Sequence, residues 1–194
     1  MRNRAYLLLM LCLVHLPRSA WAESDTSNAA RAHVNRCIAH YVRGDLAGAI
    51  ADLRMALLLR PRDADLHFML GNALYRSGEI LGAAREYQTT LTQKPQHFEA
   101  QMSRGFALFE LAQVPTAVSE WLLAVRLEPQ QPFSRAALAV GLYSMGDLDG
   151  AQMQYAKAID LDPSYRQMDR LRMDIRWKPG AIGILCKLLK SMPN

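Results

Sequence analysis

The chain has 194 residues, of which 51% are hydrophobic and 21% charged, and its 23 basic and 18 acidic side chains give a formal charge of +5. This balance excludes an intrinsically disordered chain, which combines low hydrophobicity with high net charge. Three cysteines exclude a disulfide-dense scaffold.

Residues 1–22 read as a secretory leader. Arg2 and Arg4 make a positive start, Ala5–Leu16 is a mostly apolar run broken by His15, and Ala20-Trp21-Ala22 places small residues where a signal peptidase reads. The run of 12 residues is too short to cross a bilayer, which takes roughly 20 helical residues. Leu11, not Gly or Ala, precedes Cys12, which argues against lipoprotein acylation. Cleavage after Ala22 would remove Arg2, Arg4 and Arg18 and leave 20 basic against 18 acidic residues. A nucleic-acid role would then have no basic stripe to rest on.

A polar lead-in follows at residues 23–29, with Ser24, Asp25, Thr26 and Ser27 able to cap a helix. From Ala30 onward the chain repeats. Pro61, Pro95, Pro129 and Pro163 are spaced by 34 residues, as are Gly44, Gly78, Ala112 and Gly146, and Ala49, Ala83, Ala117 and Ala151. A fixed period of this length marks stacked helical pairs. The units are 30–63, 64–97, 98–131 and 132–165. Each is expected to have a first helix of about a dozen residues, a turn near its fifteenth position, and a second helix that ends before the proline. The glycines suit a left-handed turn. Asp45, Glu79 and Asp147 follow at the start of the second helix, where a carboxylate complements the helix dipole. The alanines mark close helix crossings.

Residues 166–194 read as a degenerate fifth unit and C-terminal cap. Its first helix is expected at Gln167–Arg176, closed by Pro179. Its second, Ala181–Ser191, carries Ile182, Leu185, Cys186, Leu189 and Met192 along one side. A solenoid needs such an end cap. The tail is also basic, with seven basic and two acidic residues from Ser164 onward, so an alternative is a membrane-peripheral protein docking through this helix. Cys37 and Cys186 lie four units apart and are expected to remain unbridged thiols.

The repeats resemble the tetratricopeptide repeat family. The resemblance rests on small residues at the eighth place (Cys37, Gly71, Gly105, Ala139), on the alanines at the twentieth, on Ala56, Thr90, Ala124 and Ala158 at the twenty-seventh, and on the prolines at the thirty-second. The chain departs from the family at the fourth place, where His33, His67, Gln101 and Arg135 replace Trp, and at the seventh, where Arg36 and Arg104 replace Leu. The resemblance implies an all-α solenoid of four repeats plus a capping fifth. It also implies a concave groove lined by the first helices, with Val34, Ile38, Tyr41, Phe68, Asn72, Tyr75, Arg76, Met102, Phe106, Phe109 and Tyr143 on it. Asp65, Glu99, Glu110, Phe133, Ala136 and Val140 share that register. Asn72 and Arg76 are the only central residues suited to gripping a terminal carboxylate, so an end-carboxylate clamp is not expected. An apolar, aromatic groove with an acidic fringe suits a peptide or an amphipathic helix of another protein.

His33, Cys37 and His40 share a helical face and form the one constellation worth weighing for a metal. They fall at the fourth, eighth and eleventh places, which normally pack against the second helix, so packing is the expected use and metal binding the second alternative. No phosphate loop, nucleophile elbow or HExxH pair appears. No enzyme activity and no cofactor are expected. Leader and family together point to an exported adaptor in the periplasm of a Gram-negative bacterium.

Overall fold

In the computed structural model, which describes residues 18–167 and 179–191, the 34-residue period is a period of antiparallel helices. The elements in chain order are α1 (Arg18–Val42), α2 (Leu46–Leu59), α3 (Ala64–Ser77), α4 (Ile80–Gln93), α5 (Phe98–Glu110), α6 (Val114–Leu127), α7 (Pro132–Ser144) and α8 (Leu148–Leu161). A 3-10 turn at Pro163–Arg166 and α9 (Pro179–Ser191) complete the set, and no strand occurs among the described residues. Helices α2, α4, α6 and α8 start one period apart and end one period apart. Each packs on the helix before it and on the one after it, which makes the stack an α-solenoid.

Local chemistry sets the boundaries. Gly44, Gly78 and Gly146 turn the chain with φ of 75°, 91° and 87°, and Ala112 takes the same place at φ 59°. Asp45 and Asp147 then cap α2 and α8 by accepting from the Gly48 and Gly150 amides at 2.8 and 2.9 Å. Glu79 holds the equivalent place before α4 without a side-chain cap bond. At the other end, the Arg60, Lys94 and Glu128 amides bond back to Ala56, Thr90 and Ala124 before each proline.

Two expectations about the ends need correction. Residues 23–29 are not an irregular lead-in: α1 already begins at Arg18 and runs through them. Alanines at 20, 22, 29 and 30 favour the helix, and the intervening polar residues each oppose it by only tenths of a kcal/mol. Pro179 opens α9, two residues before the expected start at Ala181, at a position where its missing amide hydrogen costs nothing. Most of the expected helix Gln167–Arg176, and nearly all of the expected leader, lie outside the described residues.

The core follows from size complementarity between paired helices. Ala49, Ala83, Ala117 and Ala151 are fully buried at the crossings. The large side chains of the second helices, Leu53, Tyr87, Trp121 and Tyr155, are also buried, and each is sixteen residues after a small one, Cys37, Gly71, Gly105 or Ala139. A Cβ on Gly71 would stand 2.6 Å from the Tyr87 ring, so that glycine is required by close approach.

The departures at the fourth and seventh places have a shared explanation. The fourth residue of each unit reaches the second helix by a polar bond nineteen residues on: His33 Nδ1 lies 2.7 Å from Asp52, His67 Nδ1 2.7 Å from Glu86, Gln101 donates to Glu120, and Arg135 donates to Gln154 at 3.2 Å. Arg36 and Arg104, at the seventh place, add donors to the Asp52 and Glu120 carboxylates. Asp52 and Glu120 are buried, and a carboxylate can be buried only when paired in this way. A polar clasp thus replaces the family's apolar contact.

Helix α9 docks on α7 and α8. Ala181, Leu185 and Leu188 join the core cluster of the third and fourth units, and Ile182, Ile184 and Leu189 pack against it. The apolar side is therefore largely occupied by the solenoid, as expected of a cap, and the membrane-docking alternative would need it free; Lys187 and Lys190 stay exposed. No described helix is long and apolar enough to cross a membrane. Cys37 and Cys186 are both free thiols. Burial, and then the nearby Asp52 carboxylate, push the Cys37 thiol pKa up.

Candidate functional site

The first helices of successive units present one face each to a common hollow. Within it lies a cleft of about 620 Å³ whose walls come from α1, α3, α5 and α7, with Tyr87 reaching in from α4. Seven of the residues assigned to the groove by register line this cleft: Tyr41, Phe68, Asn72, Tyr75, Arg76, Met102 and Phe106. Glu99 and Phe133, which share that register, line it too.

The remaining assignments fall elsewhere. Ile38, 52% exposed, lies outside the cleft on the same face of α1 as Tyr41, with Val34 four residues before it. Val42, at 83%, extends that face. Phe109 and Tyr143 pack against the core cluster of the third and fourth units, and the Phe109 ring is 5.7 Å from that of Trp121. Ala136 and Val140 are buried, so the hollow narrows at the fourth unit, where α9 docks. Met102 is buried as well and forms part of the cleft floor.

Aromatic contacts hold the walls. The Phe68 ring packs against Tyr87 at 5.9 Å and His97 at 4.7 Å. Phe106 packs against Trp121 at 5.2 Å and Phe133 at 5.5 Å. Each ring is thus half core and half surface, which makes a wall that is apolar and also rigid. Met69, Phe98, Ser103 and Tyr87 are lining residues that the register did not select. The first three sit beside the selected positions on their helices. Tyr87 reaches the cleft because Gly71 leaves room for its ring.

The polar groups of the site differ in how well they are satisfied. Tyr87 donates its hydroxyl hydrogen to Asn72 Oδ1 at 2.9 Å. Tyr75 donates to Glu110 one unit away, and burial followed by that carboxylate raises its phenol pKa well above the usual range. The Arg76 guanidinium stands 5.1 Å from the centre of the Tyr41 ring in a cation–π contact. Burial raises the Tyr41 pKa while Arg76 opposes the rise, so the hydroxyl keeps its hydrogen at neutral pH. That hydroxyl oxygen is buried without a hydrogen-bond partner among the described residues.

The metal-site alternative does not survive the geometry. His33 and His40 are taken up by Asp52 and Asp45 at 2.7 and 2.6 Å, while Cys37 is buried in the core. Among the described residues no group of three or more His, Cys, Asp or Glu side chains could hold a metal ion.

Comparison with known proteins agrees with this architecture. A TPR repeat model matches residues 38–78, and a tetratricopeptide repeat model matches residues 68–132. Among solved structures, MamA from Desulfovibrio magneticus RS-1 superposes with a TM-score of 0.69 at 21% identity, covering 84% of this chain and 94% of that one. YrrB, described as a TPR protein with an unusual peptide-binding site, gives 0.66 at 20% identity, covering 88% and 90%. A tetratricopeptide repeat protein from Parabacteroides merdae gives 0.68 at 16%, covering 83% and 60%. At these identities the likeness is one of fold. No curated protein sequence matches the chain. Period, helix pairing and family matches agree: the chain belongs to the tetratricopeptide repeat family.

Proposed function

We propose that this protein is a non-enzymatic adaptor that holds a peptide or helical segment of another protein in its concave face, in an assembly of the bacterial envelope. The observation that carries the reading is the cleft of about 620 Å³ with its floor of Met102 and its walls of Phe68, Phe106 and Phe133. The walls are locked by ring contacts, so little conformational entropy is lost on this side when a partner binds. The fold supports the coarser statement, since tetratricopeptide repeats are generally non-enzymatic interaction modules, and YrrB is described as having a peptide-binding site.

Photo-crosslinking tests it. A photoreactive residue at Ile38 or Val42 on the concave side is expected to capture a discrete partner in native envelopes. One at Leu122 or Leu123, exposed on the second helix α6, is expected not to. Capture through α6 alone would refute the concave reading. For location, we infer export and cleavage after Ala22 from Arg2, Arg4, the apolar run and Ala20-Trp21-Ala22. N-terminal sequencing of the periplasmic fraction should begin at Glu23. An intact Met1 in the cytoplasm would contradict it.

A further inference from the structure

The charged groups around the cleft are not equivalent. Its acidic members each have a partner within the chain: Asp65 pairs with Lys94 at 2.7 Å, Glu99 lies 3.1 Å from His97, and Glu110 accepts from Tyr75. Arg76 is different. Its one described contact is the Tyr41 ring, and it has no ion pair or hydrogen bond among the described residues. Tyr41 adds a buried hydroxyl with no partner among the described residues, a group that a protein rarely leaves unsatisfied. Both residues line the cleft, and neither donor has an acceptor among the described residues; the exposed Arg76 guanidinium is held by water instead. A hydrated cation beside a buried hydroxyl suits an anionic acceptor.

The apolar surface does not end at this point. Ile38, Tyr41 and Val42 lie at i, i+3 and i+4 on α1, hence on one helical face, and Ile38 and Val42 are exposed. Tyr41 therefore belongs both to the cleft and to an apolar shelf beyond it, with the Arg76 cation over its ring. A segment whose last group was its terminal carboxylate would stop at Arg76 and leave the shelf bare. One with a carboxylate side chain in its interior would cover both.

We propose that the segment bound in the concave face carries an internal acidic side chain between two bulky apolar ones. The carboxylate accepts from Arg76 and from the Tyr41 hydroxyl, one apolar group fills the cleft, and the other lies on Ile38 and Val42. This rests on the adaptor reading and adds the chemistry of the partner.

The test is calorimetric titration of the purified protein with model peptides. Their common core is Phe-Leu-X-Leu-Phe, flanked by Gly and Ser, acetylated and amidated, with X as Asp, Asn or Lys. A fourth peptide has X as Asn and a free C-terminus placed directly after it. The Asp peptide is expected to bind about tenfold tighter than the Asn peptide, and the Lys peptide more weakly than either. Arg76→Gln should erase the Asp-over-Asn preference with the helical circular dichroism unchanged. Tyr41→Phe, which keeps the ring under Arg76, should weaken the Asp peptide several-fold.

A Lys peptide that binds as tightly as the Asp peptide would overturn the inference and leave the adaptor reading standing. So would an Asp preference that persists in Arg76→Gln. A free-ended peptide that outcompetes the Asp peptide would replace the internal carboxylate with a terminal one and overturn it likewise. If none of the peptides binds, the inference falls, and photo-crosslinking at Ile38 then decides separately whether the concave face holds a partner at all.

Discussion

The Trp121 indole on α6 fills the space that a side chain on Gly105 of α5 would need, and its Nε1 donates to the Met102 carbonyl at 3.3 Å. The same relation joins Tyr87 to Gly71 one period earlier. Glycine on one helix and a large ring on its partner bring the pair close enough for the ring to reach the floor of the cleft.

Gly105→Ala should therefore destabilise the fold by about 1–3 kcal/mol, the usual cost of overpacking a filled core. Nothing lies within 4 Å of a Cβ at Gly183, so Gly183→Ala on α9 should be neutral or slightly stabilising. Thermal unfolding followed by circular dichroism compares the two. Equal midpoints would show that the ring does not confine residue 105.

Ala112 holds φ 59° where the other three turns have glycine. A left-handed conformation costs a residue with a Cβ roughly 1–2 kcal/mol. Ala112→Gly should recover about 1 kcal/mol of this, after the added entropy of the unfolded glycine is deducted. Urea denaturation should show a higher midpoint with an unchanged slope. A lower midpoint would mean the turn is not strained.

Asp52 joins the clasp of the first unit. The Arg36 guanidinium, followed by His33, holds its carboxyl pKa below the usual value. A lowered folded value means that its contribution is complete above the unfolded value, about 3.9, and is lost as pH falls through the folded one. Asp52→Asn should cost about 2 kcal/mol at pH 6, the scale of hydrogen bonds to charged groups. The gap between the two proteins should close as the pH is lowered below about 4. A gap that stays constant down to pH 2 in denaturant titrations would contradict the pairing.

The C-terminal cap is held by Leu185, fully buried, and by a neighbouring bond in which the Tyr155 hydroxyl donates to the Tyr165 carbonyl at 2.6 Å. Leu185→Ala should cost about 2–5 kcal/mol. Tyr155→Phe should cost about 1 kcal/mol by removing this buried hydrogen bond. Lys187→Ala, at an exposed position of the same helix, should cost almost nothing. Limited proteolysis near residue 179 should accelerate in the first two variants only. Equal cleavage in all three would mean that α9 is not secured by these contacts.

Much of this architecture could be read from spacing alone. Pro61, Pro95, Pro129 and Pro163 announced where second helices stop, and Gly44, Gly78 and Gly146 where first helices turn, because each of these effects is local to a few backbone atoms. The departures at His33, His67, Arg36 and Arg104 were visible but not interpretable. Their partners Asp52, Glu86 and Glu120 lie sixteen or nineteen residues away, and only helix pairing brings them into reach. The site divides in the same way. The register picked out Phe68, Tyr75 and Phe106, yet it ranked Tyr143 beside them, and it did not distinguish Glu110, which accepts from Tyr75, from Arg76, which has no ion pair among the described residues.

Residue types recurring every 34 positions were enough to determine a stack of helical pairs with one face of each first helix turned to a common side. Caps, turns and stops act within a single turn of helix, so they need no knowledge of distant contacts. What tertiary structure alone decided is which of those faces remain open. Docking of α9, passage of the Tyr87 ring past Gly71 and pairing of the acidic fringe with Lys94, His97 and Tyr75 all depend on distances between elements far apart in the chain. Those distances close the fourth unit, deepen the cleft between the second and third, and leave Arg76 exposed and the Tyr41 hydroxyl without a partner among the described residues.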